Sequence, residues 1–201
     1  MRTISFKRAI LTVLLAAFSW IAPPATAAVT LQVDGGGILV GAKGVVINGN
    51  AHDVQFVEGT CAALFAGCDS VSDFQFQNLT DATAAAQALL DQVFVDGPSG
   101  QFDSNPELTH GCPSIVSVCD AIIPFALGVT IVGADNAVLN SADLIRGPVN
   151  LGSTTQDTSD FSGSVYAVFS PSTVPEPGTL TLLGLGLAGL AGMAWRRHRR
   201  T

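Results

Sequence analysis

Four cysteines carry the most legible chemistry in the chain. Cys61 and Cys68, and then Cys112 and Cys119, form two C-x6-C pairs. In an oxidising compartment an even count favours disulfides, with three connectivities open; local pairing, 61 with 68 and 112 with 119, is preferred because short loops close cheaply. Zinc is the sharper alternative, but metal-binding knuckles favour spacings of two to four. Nucleophilic hydrolysis would need a base, and the segment from 28 to 173 offers only His52, at a turn beside Asp53, and His110, between Thr109 and Gly111. Neither comes with a G-x-S-x-G elbow, and Gly35-Gly36-Gly37 lacks the Lys of a phosphate loop. Carboxylates are abundant, yet no glycosidase pair is singled out in a segment with one Tyr and no Trp. Calcium is the cofactor candidate. Asp103, Asn105 and Glu107 put oxygens at alternate positions with Asp96 upstream, although Leu108 stands where an EF-hand needs Gly and Ser114 where it needs Glu. Asp135, Asn136, Asn140 and Asp143 form a weaker second cluster, and both sets are also what turns are made of.

These residues must be held by local elements. Residues 38–46 are apolar and Gly-rich, Asn48-Gly49-Asn50 signals a tight turn, and Val54 and Phe56 alternate with Asp53 and Gln55, which predicts a hairpin. The alternation in Asp73-Phe74-Gln75-Phe76-Gln77 predicts a third strand. Asn78-Leu79-Thr80 matches a glycosylation sequon and is read as a helix entry, with Thr80-Asp81 capping ATAAAQALLDQVFV. Ala86, Leu89, Leu90, Val93 and Phe94 share one face of that helix, with Thr83, Gln87 and Asp91 opposite, and Gly97-Pro98 ends it. Runs at 115–118, 121–133 and 163–169 predict further strands, Pro124 demoting the second to an edge or a break. Residues 147–162, rich in Ser, Thr, Gly and Asp, read as a long loop.

Composition places these elements between two unlike ends. The 201 residues are 48% apolar and 12% charged, with a mean hydropathy of +0.44 and a formal charge of −7. A disordered chain and a nucleic-acid binder are both disfavoured. All 16 acidic residues lie between Asp34 and Glu176, while seven of the nine basic residues sit in the first eight or last six positions. Residues 28–173 hold Lys43 and Arg146 against 15 carboxylates, so 2 − 15 = −13. Such a surface repels other polyanions unless divalent cations bridge them. The N-terminus has Arg2, Lys7 and Arg8, a thirteen-residue apolar run and Ala25-x-Ala27, the pattern of a signal peptide cut before Ala28; the run is short for an uncleaved anchor. The seventeen uncharged residues from Thr179 to Trp195, followed by Arg196, Arg197, Arg199 and Arg200, fit a membrane span with its stop at the cytoplasmic side better than a core helix.

Val174-Pro175-Glu176-Pro177, then Gly178-Thr179-Leu180, the Gly/Leu-rich core at 182–190 and the terminal Arg cluster resemble the PEP-CTERM sorting signal. That resemblance implies an exported protein of a Gram-negative bacterium, recognised at the Pro-Glu-Pro motif by an exosortase, in a setting of exopolysaccharide or biofilm. The two prolines keep the backbone extended, as a peptidase substrate requires. The stretch from Asp53 through GTCAALFAGCD to AAAQALLDQVF also resembles an exported domain found with this tail, without bringing catalytic residues.

The expected fold class is α+β: a small antiparallel sheet with one main amphipathic helix, flanked by an N-terminal signal peptide and a C-terminal transmembrane helix. The expected division is signal peptide 1–27, ectodomain 28–170, linker with the PEP motif 171–178, membrane helix 179–195 and basic tail 196–201. The expected function is that of a non-catalytic exported protein of the cell surface or extracellular matrix, associated with exopolysaccharide or biofilm and without a required cofactor. The expected partners are signal peptidase, exosortase, transiently the inner membrane, and an exopolysaccharide matrix, with no nucleic acid. A small secreted hydrolase acting on extracellular polymer and a glycan- or protein-binding adhesin are the alternatives.

Overall fold

The computed structural model describes residues 28–112, 117–138 and 142–172. The expected signal peptide 1–27, the motif Val174, Pro175, Glu176 and Pro177, the expected membrane helix 179–195 and the expected membrane-stop residues Trp195, Arg196, Arg197, Arg199 and Arg200 lie outside the described residues. Among the described residues no helix is long and apolar enough to cross a membrane.

Two strand meanders form first along the chain. The first has β1 (Thr30–Val33), β2 (Leu39–Ile47) and β3 (Asn50–Val57), all antiparallel. The β2–β3 turn is Asn48-Gly49 with φ of 49° and 81°; both central residues are left-handed, as a two-residue hairpin turn demands. After a one-turn helix α1 (Cys61–Leu64), the main helix α2 (Leu79–Gln92) and the two-residue pair β4 (Asp96–Gly97) and β5 (Gly100–Gln101), the second meander follows. It comprises β6 (Val118–Ala126), β7 (Thr130–Ala137) and β8 (Leu144–Asn150). The last strand, β9 (Ser164–Pro171), inserts between the meanders, antiparallel to β3 and parallel to β6, giving the order β1-β2-β3-β9-β6-β7-β8.

This overturns the expected fold class. In place of a small antiparallel α+β sheet dominated by one helix, the domain is mostly β, built on a seven-stranded mixed sheet. The parallel pair arises because β9 returns through the long loop after β8, and a connection of that length is what parallel neighbours require. Residues 74–77 form no strand. Phe74 and Phe76 alternate because the segment wraps the sheet, burying Phe74 among the residues on one face and Phe76 on the other. Pro124 lies inside β6, which is central; the β9 pairing covers only Asp120–Ile122, so at Pro124 one side of β6 is already free of a ladder. The first four residues of the expected loop 147–162 belong instead to strand β8, and Pro148 is tolerated there because β8 is an edge.

Each face of the sheet is covered differently. On one, α2 lays Ala82, Ala85, Ala86 and Leu89, all fully buried, against the sheet. The alanines let the helix axis approach closely, and Val93, Phe94 and Phe102 fill its far end. Asn78 caps the helix, accepting the Asp81 N–H at 2.9 Å, two residues ahead of the Thr80 the sequence suggested. Gln92 closes the other end by exchanging two 2.9 Å hydrogen bonds with the backbone of Val46, as a neighbouring strand would. The opposite face has no helix of comparable length among the described residues. It is covered by the Cys61–Cys68 turn with Phe65 and Phe74, packed on Ile122, Ile131 and Tyr166.

Candidate functional site

The bonds present are Cys61–Cys68 and Cys112–Cys119, with Cα separations of 5.7 and 5.6 Å. Both border one end of the sheet, where β3 stops and β9 starts. Cys112–Cys119 ties the segment carrying Glu107, Thr109, His110 and Gly111 to the first residues of β6, while the His110 N–H donates to the Leu39 carbonyl at 2.9 Å. Gly111 holds φ 80°, and a Cβ there would press on Glu58 and Val165 at 3.0 Å, so the crossing tolerates only glycine. Across from it the loop after β8 is pinned by Thr158. Its N–H and hydroxyl donate to the Gly59 carbonyl at 3.0 and 3.3 Å, and its oxygen accepts the Gly59 N–H at 3.0 Å. Asp157 then holds the turn Thr158–Asp160 by accepting from Ser159 N and Oγ, and these bonds keep its carboxyl below the ordinary range.

Between these two loops stands Phe161, 44% exposed, with a cavity on either side. The larger, about 430 Å³, is lined by Ile38, Glu58, Glu107, Thr109, His110 and Ser159 among others. His110 Nε2 lies 4.0 Å from Glu58 Oε2, a charge contact when the ring is protonated. Thr109 is 1% exposed, and its hydroxyl has no hydrogen-bond partner among the described residues. The smaller cavity, about 210 Å³, is lined by Asp120, Arg146, Gln156, Thr158, Ser164 and Tyr166. Here Arg146 on β8 bridges two strands, pairing with the buried Asp120 and, through Nε at 3.5 Å, with Asp135. Gly133 makes the arrangement possible, because a Cβ there would collide with the Asp120 carboxylate. Burial raises the Asp135 pKa and, with the nearby Asp157 charge, pushes Tyr166 up to about 12.

The other candidate residues are dispersed. His52 is buried on the helix face between Phe76 and Phe169, with ring centroids at 5.4 and 6.5 Å, and burial lowers its pKa. Asp103 and Asn105 do not share a centre with Glu107. The Asp103 backbone N–H donates to Asp96, its carboxyl meets Asp143 and is raised by burial and by the Asp143 and Asp96 charges, Asn105 bonds Gln101, and Glu107 turns to the cavity. No group of three or more His, Cys, Asp or Glu converges as metal ligands among the described residues. In the second cluster Asp135 pairs with Arg146, Asn136 donates to the Phe102 carbonyl at 2.7 Å and Asp143 accepts the Ala137 N–H; Asn140 lies outside the described residues. Phe161 was invisible to motif reasoning; the signal it left is a lone aromatic in the polar stretch QDTSDFSGS.

The folded strand β9 ends at Pro171, and the Ser172 N–H still donates to the Ala51 carbonyl at 3.0 Å. Directly after it, residues 173–200 match the family model for the PEP-CTERM protein-sorting motif. The chain carries a PEP-CTERM sorting signal. As such it is an exosortase-targeted exported protein of the cell surface or extracellular space. No curated protein and no solved structure matches it.

Proposed function

We propose that this PEP-CTERM protein is a non-catalytic component of the cell surface or extracellular matrix, associated there with exopolysaccharide. The single observation that carries the reading is the sorting motif at 173–200, attached to an acidic domain bonded by two disulfides. A disulfide-bonded domain is built to persist where thiols do not stay reduced. The exposed Phe161 between two cavities of mixed lining supports a binding role, since sugar rings present apolar C–H faces that an aromatic ring can cover. The cavity that gathers His110, Glu58 and Ser159 is what favours a secreted hydrolase as the second reading. Against it, the Ser159 hydroxyl is engaged by Asp157, so the nucleophile and the histidine do not form a pair. The test is fractionation of the native host with mass spectrometry of the C-terminus. The protein is expected in the polysaccharide-rich fraction, shortened at the motif and without Arg196–Arg200. Intact protein confined to the inner membrane overturns the reading.

A further inference from the structure

We infer that the cavity between Phe161 and the Cys112–Cys119 loop binds the protonated amino sugars of a cationic polysaccharide. The inference rests on the matrix reading above and names the kind of polymer. At about 430 Å³ the cavity lies in the range of roughly 300–1,000 Å³ usual for small-ligand sites. Its lining includes two carboxylates, Glu58 and Glu107, and neither Lys nor Arg. Over residues 28–172, 15 carboxylates face only Lys43 and Arg146, so an acidic polysaccharide is repelled before it arrives. A neutral one would leave Glu107 without a counter-charge and Glu58 with none but the His110 ring when that is protonated. A sugar ammonium instead answers both carboxylates and, over the exposed Phe161 ring, adds a cation–π attraction while the sugar's C–H face covers the ring edge.

Thr109 supplies an independent pointer. Thr109 lines this cavity, and its buried hydroxyl has no partner among the described residues, although buried polar groups are nearly always satisfied. A hydroxyl or amine of a bound sugar would provide the missing bond. Each feature alone is ordinary; an aromatic platform, a carboxylate pair and an unpaired buried hydroxyl around one opening describe a ligand that is a cation, a polyol and partly apolar. The interaction should need no divalent metal, in contrast to bridging of an acidic polymer through calcium.

The probe is the hexamer of β-1,4-glucosamine, titrated calorimetrically against the full chain in a polyoxyethylene detergent that carries no sugar. Comparators are its fully N-acetylated form, a neutral glucan hexamer, a mannuronate hexamer and hexalysine. The glucosamine hexamer is expected to bind at least ten-fold more tightly than every comparator, unaffected by EDTA and weakened by salt. Phe161→Ala and the double variant Glu58→Gln/Glu107→Gln should each lose at least ten-fold in affinity with unchanged circular dichroism. No binding, binding that survives both variants, or equal binding of hexalysine overturns the inference, the last by marking a general cationic surface. Retention in the polysaccharide fraction of the host without glucosamine binding sinks the inference alone; absence from that fraction sinks the matrix reading instead.

Discussion

The two faces of the sheet solve the same burial problem by opposite means. On the helix face, small side chains at Ala82, Ala85 and Ala86 bring a fourteen-residue helix close against the strands over a large cluster of buried apolar side chains. On the loop face there is no long helix among the described residues, and short irregular segments are fastened by Cys61–Cys68, by Thr158 on Gly59 and by Arg146 on two aspartates. Irregular cover leaves gaps, and the cavities beside Phe161 open where those fastened loops meet. No residue of α2 lines either cavity, so the long helix and the cavities occupy different parts of the domain.

The contrast can be broken first on the packed side. Leu89→Ala removes a fully buried side chain from the helix interface and should cost about 3 kcal/mol in urea unfolding. It should leave the Phe161 cavity's ligand preference unchanged in the fraction still folded. A loss below about 1 kcal/mol would mean that the helix is a cover instead of a core element. On the stapled side, Cys61→Ser/Cys68→Ser releases a short loop. The chain-entropy estimate is roughly 2 kcal/mol, and thermal denaturation should show the drop together with faster proteolysis between residues 59 and 70. Equal proteolysis with and without the bond would show that Thr158 and Gly59 hold the loop unaided.

The smallest effect is pH-dependent and belongs to His52. Burial lowers its pKa from the ordinary 6.5, so the unfolded chain takes up the proton first as pH falls. Its contribution to stability is therefore intact above 6.5 and is lost as the pH drops from there toward the depressed folded value. His52→Gln should flatten the stability difference between pH 7 and pH 5; an unchanged slope would place the acid sensitivity in another group.

Legibility in the sequence followed the range of the interaction. The β2–β3 hairpin was readable because Asn48-Gly49 and the flanking alternation are local, and α2 because its apolar spacing repeats every three to four residues. The place of β9 was not, since nothing in SVYAVFSP records that its neighbours are β3, which ends at Val57, and β6, which begins only at Val118. β8 hid behind Gly147-Pro148, residues that an edge strand tolerates and a central one does not. The local pairing of cysteines could be preferred from loop length, but the cavity beside Cys112 depends on four segments, around residues 38, 58, 107–112 and 159–162, that meet only in the folded sheet.

The sorting motif begins two residues beyond the last residue of β9, and β9 is the fourth of seven strands. While the tail is held, any drag on the domain reaches the tether through the middle of the sheet. Six residue pairs with β3 and three with β6 share that load along the strand direction. An edge strand under the same pull would slip against one neighbour; a central strand must slip against both together. The attachment point thus makes the domain mechanically stubborn in the one direction in which a surface protein is tugged.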